Sequence, residues 1–187
     1  MRPSEDILGM NLESILLKGK GTLVQQWFQM IAETYPPETA QLLAREKSQF
    51  ANPVGHTLRH ATREIFDELL GGNDPGKMAP LLDKIIRIRA IQDFIPSQAV
   101  AFIFLLKRIA REAVRKEGRE NPVSPEEILA FDAKVDGLAL LAFDIYMQCR
   151  EKLSEVRINE VKNRTYRLLQ RANLIAELPE RKPDPNQ

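Results

Sequence analysis

The sequence predicts an all-α fold, a multi-helix bundle with a long C-terminal helix, and three observations support it. Strand-type alternation is absent, and most long segments are rich in the helix formers Leu, Ala, Glu, Lys and Arg. Eight consecutive apolar residues, 99–106, are followed by apolar residues at helical spacing, which predicts a central helix covered by neighbours over its first half. The segment 125–172 has no proline after Pro125 and one glycine, Gly137, which predicts a single helix far longer than usual.

Glycine and proline divide the first third of the chain into predicted helices. A weakly amphipathic helix over residues 4–18 meets Gly19 and Gly21, which predict an interruption or a bend, and the next helix runs to about Thr34. Proline disfavours a helical conformation in the residue before it, so Tyr35-Pro36-Pro37 should end that helix. A short helix over residues 37–45 follows.

The middle of the chain carries clearer start and stop signals. Asn52-Pro53 places an N-cap asparagine before a proline at the first helical position, and Gly71-Gly72 ends the helix that begins there. The next helix is expected from Lys77 to about Phe94. Pro96 then begins the central helix, which we predict to run unbroken over residues 96–117.

Ser124-Pro125-Glu126-Glu127 has the pattern of a capping box at the start of the long C-terminal helix. The second half of this helix has apolar and small residues at the alternating three-four spacing of a coiled-coil seam, which predicts an interface and a homodimer. The seam residues are Ile158, Val161, Thr165, Leu168, Ala172 and Ile175. We therefore expect a helical domain over 1–150, a coiled-coil extension over 151–176 and a disordered tail over 177–187.

Composition and charge argue against several classes of partner. The net charge is +1 with acids and bases interleaved, which does not favour nucleic acid or an anionic membrane surface as a partner. No apolar stretch is long enough to span a bilayer or to serve as a signal peptide. A single cysteine, Cys149, excludes an internal disulfide framework, so we expect a cytoplasmic protein.

His56 and His60 are the only histidines, and they lie four residues apart on one helix face. With Glu64 as a third ligand they form a candidate metal site. Each histidine follows a predicted core position by two residues, which places both on the polar face of the helix. Solvated histidines are the alternative interpretation, and the outward direction also disfavours haem ligation.

Arg89 lies at the edge of a predicted buried stripe, with Gln92 and Asp93 in the next turn. A buried guanidinium needs a partner, so the three residues are a candidate pocket for an anion or another small ligand. The alternative is an ion pair within the fold, with Asp93, Asp136 or Asp144 as the carboxylate.

No nucleophile–base set and no di-iron motif can be recognised, so the sequence predicts a protein that is not an enzyme and needs no cofactor. Five aromatic residues fall on predicted apolar surfaces and are expected in the core. They are Trp27, Phe28, Phe102, Phe104 and Phe143.

Three segments together resemble the N-terminal domain of RsbT co-antagonist proteins of the RsbRD type. They are WFQMIAETY at 27–35, FANPVGHTL at 50–58 and IRAIQDFIPSQAVAFIF at 88–104, within a resemblance covering about residues 10 to 150. The resemblance implies an all-helical sensor module, with a haem-free globin-like fold in the broader group. Such modules usually precede an output domain such as a STAS domain or a histidine kinase, whereas here only the heptad-patterned extension is expected to follow.

These observations predict a stand-alone sensory or regulatory module that associates through its C-terminal helix, with an unidentified small ligand. A ligand-free adaptor that docks this helix on a partner complex is the alternative, and a metal- or haem-binding sensor is a second one.

Overall fold

The computed structural model describes residues 11–45, 48–72, 74–117, 122–172 and 174. These residues form seven α-helices and no strand, which confirms the all-α prediction. The helices are α1 (Leu12–Ala32), α2 (Pro37–Arg45), α3 (Pro53–Gly71), α4 (Pro75–Ile91), α5 (Pro96–Ala101), α6 (Leu105–Glu117) and α7 (Pro125–Arg171).

The core forms where α1 packs against α6, α3 and α2, and where α3 packs against α4. The first half of α7 adds buried residues from Phe131 to Tyr146. Two ion pairs join α6 to α7, Lys107 with Asp136 at 2.6 Å and Arg111 with Asp132. Such partly exposed pairs contribute little free energy, so burial of apolar surface holds the helices together.

The predicted interruption at Gly19 and Gly21 is wrong, because α1 continues through both glycines. A glycine in a helix interior costs only about 1 kcal/mol relative to alanine. Burial of Leu16, Leu23 and Trp27 along one face of the same helix outweighs that cost. Residues 4–10 of the predicted first helix lie outside the described residues.

The predicted unbroken central helix is also wrong: it divides into α5 and α6 at residues 102–104. The Leu106 N–H donates to Ile103 O at 3.0 Å instead of to the carbonyl four residues back. That carbonyl, Phe102 O, accepts the indole N–H of Trp27 at 2.8 Å. The break therefore supplies an acceptor for a buried donor that α1 brings into the core. Phe104, expected in the core, is 45% exposed at this break.

The capping box at the start of α7 forms as predicted. The Glu127 N–H donates to Ser124 Oγ at 3.2 Å, and the Ser124 N–H donates to Glu127 Oε2 at 2.9 Å. The second oxygen of Glu127 accepts the Leu12 N–H at 3.1 Å, so one carboxylate satisfies main-chain donors at the starts of two helices. Phe143 of α7 is 42% exposed, which corrects its expected place in the core.

By internal contacts the chain divides into two compact units, Met1–Cys149 and Arg150–Gln187. The expected disordered tail, 177–187, lies outside the described residues, as does the seam residue Ile175. In the part of the chain that is described, no helix is both long enough and apolar enough to cross a membrane.

Candidate functional site

Arg89, in the last turn of α4, is completely buried, with 0% of its surface exposed. One terminal nitrogen of its guanidinium donates to Gln98 O at 3.0 Å, and the other donates to Thr34 Oγ1 at 2.8 Å. Three aromatic rings surround the guanidinium, an arrangement that favours a cation. They are Tyr35, Phe94 and Phe102, with ring centroids 5.3, 4.8 and 4.9 Å from the guanidinium carbon.

None of the described carboxylates forms an ion pair with Arg89. Of the predicted partners, Asp93 and Asp144 are exposed, and Asp136 pairs with Lys107. Burial lowers the pKa of Arg89, and the nearby Tyr35 hydroxyl opposes that shift. Burial likewise raises the pKa of Tyr35. Ring faces, a hydroxyl and a carbonyl therefore take the place of the expected carboxylate.

Gln92 and Asp93 do not share the environment of Arg89, because both are exposed. Asp93 has a φ of 58°, in the left-handed region that ends many helices. The N–H of Phe94 donates to Arg89 O at 3.2 Å and closes this turn. Asp93 thus shapes the chain after α4, and the ligand pocket suggested for these three residues stays a prediction.

A separate groove of about 1030 Å³ lies between α1 and α3, and Ala44 of α2 also lines it. Its lining from α1 is mostly polar and includes Lys20, Gln25, Gln26 and Gln29. Its lining from α3 consists of His56, Arg59, His60 and Arg63. These four positions follow the three-four spacing of one helix face. The row of basic side chains is therefore visible in the sequence, where it indicates no more than a solvated surface.

The two histidines of the metal-site prediction lie in this groove. Their ring centroids are 5.9 Å apart, and His60 Nδ1 is 3.3 Å from a carboxylate oxygen of Glu64. The other oxygen of Glu64 accepts a hydrogen bond from Lys84 at 2.9 Å, and this bond lowers the pKa of Glu64. The described residues contain no group of three or more His, Cys, Asp or Glu placed to hold a metal ion.

A family model described as the RsbT co-antagonist protein rsbRD N-terminal domain matches residues 21–161, which is most of the chain. The chain belongs to the RsbRD N-terminal domain family. Comparison with curated proteins and with solved structures gave no match. The family consists of regulatory signalling domains.

The residues behind the RsbRD-type resemblance have structural roles in this chain. Trp27 holds the break between α5 and α6 through its bond to Phe102 O. Asn52 is 3% exposed, accepts the Gly55 N–H at 2.8 Å and donates to Leu42 O at 3.0 Å, so it caps α3 and joins it to α2. The resemblance thus supports the fold more directly than it supports a ligand.

The RsbRD family match ends inside the predicted seam, whose residues from Ile158 to Leu168 lie on the second half of α7. Ile158, Val161 and Leu168 are 52%, 64% and 59% exposed, and Thr165 and Ala172 are exposed as well. The three-four spacing from Ile158 to Leu168 places those residues on one face of the helix. In the corresponding heptad, the g positions beside the seam are all arginine. They are Arg157, Arg164 and Arg171.

Proposed function

We propose that this chain is a non-enzymatic regulatory module whose signal passes through protein–protein contacts of the second half of α7. The observation that carries the proposal is the row of exposed branched apolar residues Ile158, Val161 and Leu168. Branched apolar side chains exposed along one helix face are typical of an interaction site. Membership of a family of regulatory signalling domains supports the same function.

The first occupant proposed for the seam is a second copy of the chain. A parallel pair of helices would place Ile158, Val161 and Leu168 against their own equivalents and remove them from water. An apolar side chain of this size contributes about 1.5 to 3 kcal/mol when it is completely buried. Several such layers together can support a dimer.

Sedimentation or light scattering of the whole chain tests the dimer. The double variant Val161→Glu, Leu168→Glu should be monomeric at concentrations where the native chain is dimeric. Each of the two substituted layers would bury a pair of carboxylates, one from each helix. Asn163→Glu with Gln170→Glu is the matched control, since it adds the same charge at f positions, away from the seam. A native chain that is monomeric at every micromolar concentration would exclude the homodimer.

A ligand-free adaptor that docks on a different protein is the second candidate, and the arginines beside the seam favour it. In a parallel homodimer Arg157 would face Lys162 of the other helix, and in an antiparallel one Arg164 would face another arginine. Like charges at these positions destabilise a pair of identical helices. A partner helix with acidic residues beside its own apolar seam would be complementary.

A synthetic three-heptad helix with a Leu/Ile seam and glutamate at its e and g positions is a suitable probe for the adaptor. We expect it to bind the native chain, to bind less tightly as salt increases, and to fail with the Val161→Glu, Leu168→Glu variant. The same peptide with lysine at e and g is the control. Equal binding of the two peptides would contradict the charge complementarity.

A further inference from the structure

The groove between α1 and α3 is a large opening on the described surface, and the ionisable side chains that line it are all basic. Lys20, Arg59 and Arg63 line it together with both histidines, whereas no aspartate or glutamate does. A volume of about 1030 Å³ is at the upper end of the range typical of small-molecule sites. A cleft lined by one sign of charge concentrates ions of the opposite sign.

The three cations of this groove differ in the hydrogen bonds and ion pairs that they already make within the chain. Lys20 pairs with Asp67, and Arg59 donates to Leu43 O with its guanidinium 4.5 Å from the ring centroid of Phe28. Arg63 is exposed and makes no hydrogen bond or ion pair with any described residue. Arg63 is therefore available to a ligand, beside two cations that the fold already holds in place.

Several carboxylates form bonds with residues that line the groove. Asp67 forms an ion pair with Lys20, and Glu64 pairs with both His60 and Lys84. On the α1 side Gln26 donates to Glu112 at 2.9 Å, and Gln29 donates to Glu33 at 3.3 Å. Asp67 therefore offsets the charge of Lys20, whereas Arg63 forms no ion pair with any described carboxylate.

Gly21 supplies a second observation. It occupies the interior of α1 and lines the groove, and a Cβ atom added to it would meet nothing within 4 Å. Packing within the chain therefore does not explain a residue that costs a helix about 1 kcal/mol relative to alanine. A glycine at this point leaves the backbone of α1 open to close approach by a ligand.

We propose that the groove between α1 and α3 binds a small polyanion, a molecule with two or more carboxylate or phosphate groups, through Arg63, Arg59 and Lys20. Arginine suits this ligand because its planar fork can donate two parallel hydrogen bonds to a carboxylate or a phosphate. Gln25 on the α1 wall and the imidazole of His56 on the α3 wall add further side-chain donors. The site is distinct from the seam of α7 and does not depend on the contacts proposed there.

Isothermal titration of the whole chain with citrate and with pyrophosphate, each at constant ionic strength, tests the site. We expect saturable binding of at least one probe, and the stronger probe identifies carboxylate or phosphate as the preferred group. Arg63→Gln should weaken that binding about 10-fold, because a charge-assisted hydrogen bond contributes about one factor of ten or more. Arg63 has no partner to lose within the described chain, so this variant should fold normally.

Two control variants separate a built site from a general charge effect. Arg115→Gln removes an exposed arginine of α6 that does not line the groove, and it should leave affinity unchanged. Gly21→Ala and Gly137→Ala each fill open space on a helix, but only the first lies in the groove and should weaken binding several-fold.

Two results would overturn the anion site. One is the absence of saturable binding of both probes at millimolar concentration, and the other is an equal loss of affinity in Arg63→Gln and Arg115→Gln. Unchanged affinity in Gly21→Ala would overturn the placement of the anion against α1. None of these results bears on the oligomeric state, so the function proposed for α7 stands or falls separately.

Discussion

Arg89 shows how a buried cation is accommodated without a carboxylate. Its position at the edge of a buried stripe was predictable from the spacing to Ile85, but its partners were not. Thr34 is 55 positions away in the sequence, Gln98 lies beyond the turn that follows α4, and three rings complete the enclosure. The free energy of burying the charge is offset by several weak contacts that only the folded chain assembles.

Replacing Arg89 with lysine should destabilise the protein more than replacing it with methionine. Lysine keeps a buried charge but loses the planar group that lies against the rings and reaches two acceptors, which should lower the free energy of unfolding by about 3 kcal/mol. Methionine fills the space without a charge and should lower it by about 1 kcal/mol. Urea unfolding followed by circular dichroism measures both, and a lysine variant as stable as the native chain would contradict this ranking.

Glu127 should make the stability of the protein depend on acidity. Hydrogen bonds from the N–H groups of Ser124 and Leu12 hold the pKa of this carboxylate below its usual value of 4.5. A lowered pKa means that the ionised form stabilises the fold above about pH 4.5, and that this contribution is lost as the pH falls through the folded-state pKa.

Thermal unfolding between pH 6 and pH 3 checks the effect of Glu127. In Glu127→Gln the midpoint temperature should fall less steeply with decreasing pH than in the native chain. Glu126→Gln is the matched control, because it removes a charge from the same helix start and leaves both N–H bonds in place. Identical slopes for the native chain and Glu127→Gln would count against this role.

Helix α3 begins where it does because Gly55 leaves room for the side chain of Asn52. A Cβ atom on Gly55 would lie 2.2 Å from Asn52 Nδ2, and that amide is held between Gly55 N and Leu42 O. Alanine would displace the cap from both bonds. The glycine in the sequence Asn-Pro-x-Gly therefore has a steric reason.

Gly55→Ala and Gly137→Ala should change stability in opposite directions. The first should lower the free energy of unfolding by about 2 kcal/mol, because a buried capping side chain loses its partners. The second should raise it by about 0.5 to 1 kcal/mol, because Gly137 lies within α7 with nothing near its added methyl group. Chemical denaturation compares the two variants. Changes of the same sign in the free energy of unfolding would contradict the steric reason given for Gly55.

At the scale of the whole molecule, the sequence was most informative where the determining contacts are local. The capping residues Ser124 and Asn52 act within three residues of themselves, and the helices that they begin were predicted. The break before α6 could not be predicted because it depends on Trp27, which is 75 positions away from Phe102 in the sequence. The α1–α3 groove could not be predicted for the same reason: its walls come from helices that are separated in the chain.

Two features concern the chain as a whole. The family match tests the predicted family and regulatory class, whereas the seam is the basis of the predicted homodimer. The match confirms the resemblance and the regulatory class, whereas the globin-like arrangement and the homodimer stay predictions. If the seam pairs two copies, the unfolding temperature should rise with protein concentration, since association stabilises only the folded state. An unfolding temperature independent of concentration would favour the adaptor.

The bond from Trp27 to the carbonyl of Phe102 also equips the protein with an optical reporter. The chain has one tryptophan, and it is 0% exposed, stacked on Phe102 with ring centroids 6.0 Å apart. Its fluorescence emission should be shifted to short wavelength in the native state and move to longer wavelength when water reaches the indole. Intensity and wavelength then report on the junction of α1, α5 and α6 alone, without any label.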